Sequence, residues 1–162
     1  MKREACEDRG SFAINDGYSP SDKIDIANHY MLQNGVAPTK HLAMFLMMDG
    51  TLMRGDDTRR LQLCDLFWHP VRQVRPHQGF ALGAVTDQGK TNKNGRVEFA
   101  WIMRHRDPLQ CGVGATLRWL LWRHEFIEDR KFPDFSSRRA WYNTYLFYGS
   151  SKPQVQSVQG QG

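Results

Sequence analysis

The chain has 162 residues, a formal net charge of +5, and 40% hydrophobic residues including five Trp and nine Phe. This length and aromatic content suit one compact domain and exclude a disordered chain, and the modest basic excess permits a nucleic-acid partner without requiring one. Three cysteines, none in a CxxC pair, and six scattered histidines without ligand spacing argue against a disulfide framework, a zinc ribbon or any other metal site.

Residues 1–19 are polar, too charged at the start for a secretory signal, and read as a loosely ordered arm. Ser21 is a candidate cap for a helix in "SDKIDIANHYMLQNG", with Ile24, Ala27, Tyr30 and Met31 on one face and Gly35 beyond its end. "APTKHLAMFLMMDGTLM" predicts a second helix, capped by Thr39, with Leu42, Phe45, Leu46 and Met53 in apolar spacing and a break expected near Asp49 and Gly50. The first half of "RGDDTRRLQLCDLFW" starts a new helical turn, and "HPVRQVRPHQG", with two prolines, reads as a loop.

"FALGAVTD" and "RVEFAWIMRH" alternate in the manner of strands and predict a hairpin whose tip is residues 87–95. Arg104 and Arg106 are expected on one face of the second strand, with His105 opposite. An amphipathic helix follows, with Val113, Leu117, Leu120, Leu121 and His124 along its buried face, and "GVGA" at its start allows close packing. Trp119 and Trp122 read as core. A short helix is expected after Ser137, and "WYNTYLFY" reads as core packing. Residues 150–162, rich in Gln, Gly and Ser, read as a disordered tail. No apolar run reaches the ~20 residues of a membrane span.

The functional signal is cationic. Arg54 stands between an apolar helix and a charged turn, where a guanidinium fork can match phosphate oxygens. Lys90 and Lys93 lie on the hairpin tip, with Arg96, Arg104 and Arg106 on the flanks of the second strand, so the hairpin is basic at both ends. There is no P-loop, no GxGxxG and no HExxH, and no cofactor is expected.

Three blocks in order, "LMRGDDTRRLQLCDLF", "GKTNKNGRVEFAWIMRHRDPLQCGVGATLRWLLWRHEF" and "FPDFSSRRAWYN", resemble the fungal centromere DNA-binding protein family, a kinetochore subunit domain related to Crypton transposon recombinases and, through them, to the catalytic domain of tyrosine recombinases. The resemblance covers residues 20–149 as an incomplete recombinase-like domain. It implies a mainly α fold with a small antiparallel hairpin or sheet. It implies a nuclear protein that binds double-stranded DNA through the phosphate backbone, alone or as a homo- or hetero-oligomer, with no membrane association.

By the same resemblance, Arg54, Asp57 and Asp65 fit the spacing around the first recombinase arginine, with Asp57 in place of the usual glutamate. Gly89, Lys90 and Lys93 match the hairpin lysine motif, which would make Lys90 the acid for the leaving oxygen. The His-x-x-Arg pair and the tyrosine nucleophile are expected beyond Gly149, so the family-like region ends before them; His69 and Arg72 form such a pair in the wrong order. Arg54 and Lys90 therefore read as vestiges of a catalytic set, and the chain as a DNA-binding protein rather than an enzyme. The alternatives are a fragment of a transposon-derived recombinase and an interaction module that has lost DNA binding.

Overall fold

The computed structural model describes residues 17–71, 79–86, 96–127, 133 and 135–148. The polar arm to residue 16, the hairpin tip with Lys90 and Lys93, Arg72, and the Gln-rich tail lie outside the described residues.

The described residues are mostly helical, with one three-stranded antiparallel sheet among them. Helix α1 spans Pro20–Gln33. Its cap is Ser19, two residues earlier than Ser21: the Ser19 hydroxyl accepts from the Asp22 N–H at 3.2 Å, and the Asp22 carboxylate accepts from the Ser19 N–H at 2.7 Å. Proline at the first helical position makes this start favourable, because its missing N–H has no partner there anyway.

Helix α2 spans Val36–Thr51 without a break at Asp49 and Gly50. Its N-cap is Gly35, so Thr39 lies inside the helix and is buried instead of capping it. The helix survives Gly50 because that glycine faces Ile102; a Cβ there would come 2.3 Å from Ile102 Cδ1. Leu52 ends α2 in the left-handed region at φ 57°. Helix α3 spans Gly55–Arg60, where the charged turn was expected, and a 3-10 turn at Leu63–Asp65 leads into the sheet.

The sheet contains strands β1 Leu66–Val71, β2 Gly79–Thr86 and β3 Glu98–Met103, in the order β1-β2-β3. The predicted hairpin is β2 with β3, in a register that pairs Leu82 with Ile102 and Gly83 with Trp101. Strand β1 corrects the loop reading of "HPV": His69 and Pro70 are strand residues opposite Ala81 and Phe80. Pro70 is tolerated because β1 is an edge strand, where one side of the backbone needs no ladder partner. Arg104, His105 and Arg106 fall past the end of β3, so no strand alternation governs them.

Helix α4 spans Gly112–Glu125 and packs along α2. Its buried face is Gly112, Val113, Ala115, Thr116, Trp119 and Arg123. The expected face built on Leu117 and Leu121 is rotated away, and both leucines are exposed. Small residues decide the phase. At Gly112 a Cβ would lie 2.8 Å from the Leu46 carbonyl oxygen, so glycine lets the two helices meet backbone to backbone, as "GVGA" predicted. Trp119 is fully buried in the core with Leu42, Ala43, Leu46, Met47 and Leu61.

Helix α5, Arg138–Trp141, starts after Ser137 as expected. The segment after it enters the core. Leu146 and Phe147 are buried, whereas Tyr142 and Tyr145 are exposed, so only part of "WYNTYLFY" packs inside. The Leu146 N–H donates to the Leu61 carbonyl at 2.7 Å, and the Leu63 N–H to the Thr144 carbonyl at 2.8 Å. Trp119 Nε1 and Arg123 Nη1 both donate to the Leu146 carbonyl, at 2.8 and 3.1 Å, and Arg123 also reaches the Tyr145 carbonyl. Lys40 Nζ donates to the Tyr148 carbonyl at 3.2 Å. Burial holds the Lys40 ammonium below the usual lysine range.

Candidate nucleic-acid interface

Three of the candidate cations flank β3. Arg96 precedes the strand, and Arg104 and Arg106 follow it. Six residues at ~3.3 Å each separate these ends by roughly 20 Å, about six base-pair steps along a duplex.

At the hairpin end, Arg96 is exposed and its Nη2 donates to Glu98 Oε1 at 2.7 Å, which offsets part of its charge. Arg54 is exposed at the N-cap of α3. Its carbonyl accepts from both the Thr58 N–H, at 2.9 Å, and the Thr58 hydroxyl, at 3.1 Å. This pair of hydrogen bonds from a fully buried threonine fixes the Arg54 backbone, while the Arg54 residue is exposed. Asp57, Arg60, Asp65, Thr86 and Tyr145 line a groove of about 320 Å³ at the root of the hairpin. Thus Asp57 and Asp65, two of the three residues placed by spacing, share a groove, while Arg54 stands outside its lining.

Asp65 has a local structural task as well. Its Oδ2 accepts from the Gln62 N–H at 2.7 Å and closes the 3-10 turn. Beside it, burial and then the Asp65 charge push the Cys64 thiol above its ordinary value, so this cysteine is held as a thiol.

At the far end, Arg104, His105 and Arg106 are exposed. The Asp107 N–H lies 3.0 Å from His105 Nδ1, and the Asp107 carbonyl oxygen lies 3.3 Å from the same nitrogen. The Asp107 carboxylate accepts from Gln110 Nε2 and the Leu109 N–H, both at 3.0 Å. These two bonds, Gln110 first, hold it below the usual carboxylate range. Cys111 ties this link to α4, because its Sγ accepts from the N–H of both His105, at 3.4 Å, and Gly114, at 3.2 Å.

Residues 18–157 match the model of the family described as centromere DNA-binding protein complex CBF3 subunit, domain 2. The chain belongs to this family. The match to CBF3 subunit domain 2 covers most of the sequence and runs past Gly149 into the Gln-rich stretch. No curated protein and no solved structure matches the chain.

Within this CBF3-subunit domain, sequence reading missed Arg60, Tyr145 and Arg118. Arg60 shares the hairpin-root groove with Asp57, and Arg118 shares a second groove with Arg104 and Arg106. For Arg60 a signal existed, the doubled arginine of "DDTRR". Tyr145 and Arg118 reach their grooves only through the packing of distant segments. His69 stands against the Trp101 ring, with centroids 5.4 Å apart, on the outer face of the sheet. Among the described residues, no helix is long and apolar enough to cross a membrane.

Proposed function

We propose that this domain binds duplex DNA through its phosphates, as a nuclear component of a centromere-type complex, with Arg54, Lys90, Lys93, Arg96, Arg104 and Arg106 as the contacting cations. The observation that carries this reading is the family match over residues 18–157. The separation of Arg96 from Arg104 and Arg106 at the two ends of β3 supports it, because a duplex backbone can bridge roughly 20 Å between them. The fold we read as a partial tyrosine-recombinase catalytic domain of Crypton type, in which Arg54 and Lys90 keep a phosphate-holding role without strand cleavage.

Duplex binding measured by fluorescence anisotropy across a salt series tests the proposal. The wild type is expected to lose affinity steeply with salt, because phosphate contacts release counterions. Lys90→Glu with Lys93→Glu is expected to lower the salt slope by about 2. An unchanged slope and affinity would sink the hairpin assignment. Nicked or covalently linked DNA product would sink the non-enzymatic one.

A second reading, a protein-interaction module, is favoured by one feature. Leu117 on α4 is half exposed beside Trp68 and Phe135, around an apolar groove of about 220 Å³, and Leu121 is half exposed on the same helix.

A further inference from the structure

The link from β3 to α4 folds over the start of α4 and leaves a groove of about 520 Å³, within the size range of small-molecule sites. Its charged lining is Arg104, Arg106 and Arg118, and its floor includes Met31, Leu42 and Ala115. Among the described residues, no Asp or Glu lines it. The nearest carboxylate in sequence, Asp107, already accepts from Leu109 and Gln110.

We infer that this groove is a nucleotide pocket, in which the three guanidinium groups hold a phosphate and the apolar floor carries the base. Arg118 is the deciding residue. It is half-buried in the groove wall, and its contact is to the Met31 thioether sulfur, a weak acceptor. A guanidinium has five donors, so a phosphate offers Arg118 the strong acceptor that Met31 does not. His105 lines the same groove, and its ring can offer a further N–H to an anion.

An apolar floor under three cations separates this ligand from a plain anion or a duplex backbone. Either of those would satisfy the rim and leave the floor empty. A planar base fills it, with arginine also able to stack on the ring. A free nucleotide and an unpaired nucleotide of a DNA strand share this chemistry. The inference takes Arg104 and Arg106 from the proposed duplex contacts and rests on that reading for them; Arg118 and the floor are independent of it.

Calorimetric titration of the full chain with dTMP and with inorganic phosphate is the test, joined by anisotropy with a blunt duplex and the same duplex bearing a one-nucleotide 5′ overhang. The expected result is dTMP binding about tenfold tighter than phosphate, and a loss of about tenfold in Arg118→Leu. Arg118→Lys, which keeps charge but not the fork, is expected to recover only part, and it separates ligand binding from any folding defect of the leucine variant. Preference for the overhang that depends on Arg118 assigns the pocket to a DNA strand. Binding of dTMP without that preference assigns it to a free nucleotide. Equal affinity for dTMP and phosphate, or an Arg118→Leu protein that binds as the wild type does, overturns the pocket. Loss of duplex binding in Lys90→Glu with dTMP binding retained supports the pocket as a site separate from the hairpin contacts. Failure of duplex binding in the wild type with dTMP binding intact strikes the proposed function alone.

Discussion

The helical half of the molecule and the outer face of its sheet treat polarity in opposite ways. In the helical half, two cations are buried among the described residues. Arg123 is 2% exposed and Lys40 is 7% exposed, and both donate to backbone carbonyls of the segment that follows α5. On the outer sheet face, aromatic rings are left in solvent. Phe99 is 58% exposed and Trp101 is 42% exposed, in a cluster with Phe67 and His69. Burying a charge costs several kcal/mol unless its donors are used, so the helical half is held by hydrogen-bond geometry as much as by apolar area. The sheet face has no such constraint. Phe99 and Trp101 stand outside the buried core, which leaves them available to a partner surface.

The strongest way to break this comparison is Arg123→Met. It keeps an unbranched side chain of useful length and removes the donor to the Tyr145 and Leu146 carbonyls. A loss of about 2 kcal/mol is expected in urea unfolding. Trp119→Phe removes the second donor to Leu146, and the pair is expected to cost more than the sum of the single changes, because the carbonyl then has neither donor. Strict additivity would mean that the two donors do not share one acceptor in solution.

The sheet face should respond less. Trp101→Ala removes an edge-to-face contact with Phe67, with centroids 4.9 Å apart, and is expected to cost about 1 kcal/mol. Phe99→Thr should change stability by no more than about 0.5 kcal/mol. A loss at Phe99 as large as at Arg123 would show that this face is covered in solution, and the contrast between the two regions would disappear.

The smallest effect sharpens a third site, where α1 meets the end of α2. Burial pushes the Asp49 carboxyl up, but hydrogen bonds from Lys23 and Tyr18 and the Lys23 charge outweigh it and hold the group below its ordinary value. The contribution is therefore present above the unfolded carboxylate value of 3.8 and is lost as pH falls through the lower folded value. The Tyr18 hydroxyl, donating to Asp49 Oδ1 at 2.7 Å, is pushed up to about 12, so its contribution is lost as pH rises from its ordinary value of 10.0 toward that figure. Asp49→Asn should remove a part of the acid-side fall in the urea midpoint and bring the Tyr18 titration, followed by ultraviolet absorbance, back toward its ordinary range. An unchanged Tyr18 titration would mean that the contact is not made in solution.

Local chemistry made much of the fold legible. The hairpin of β2 and β3, the helix α4 and the cap at Ser137 follow from alternation, apolar spacing and a polar start. Strand β1 was hidden because His69 and Pro70 resemble a loop, and only an edge position excuses them. The phase of α4 was hidden because leucines mark an apolar face more loudly than Gly112, Ala115 and Thr116. Those small residues let α4 approach α2, and that approach sets which face is inside. The candidate site was legible as a set of cations and illegible as a geometry. Nothing in the spacing of Arg104, Arg106 and Arg118 says that a helix brings the third beside the first two, or that Arg54 stands outside the groove that holds Asp57 and Asp65.

The pairing of Leu61 with Leu146 has a consequence for the order of synthesis. Helices α1 to α4 can be made well before the segment that supplies the acceptors for Trp119, Arg123 and Lys40. Until that segment leaves the ribosome, two cations that belong in the core have no carbonyl to meet, and the core cannot close around them. Folding of this domain therefore waits for its own late residues, and a nascent chain stalled short of residue 144 should remain open to proteases along its whole length.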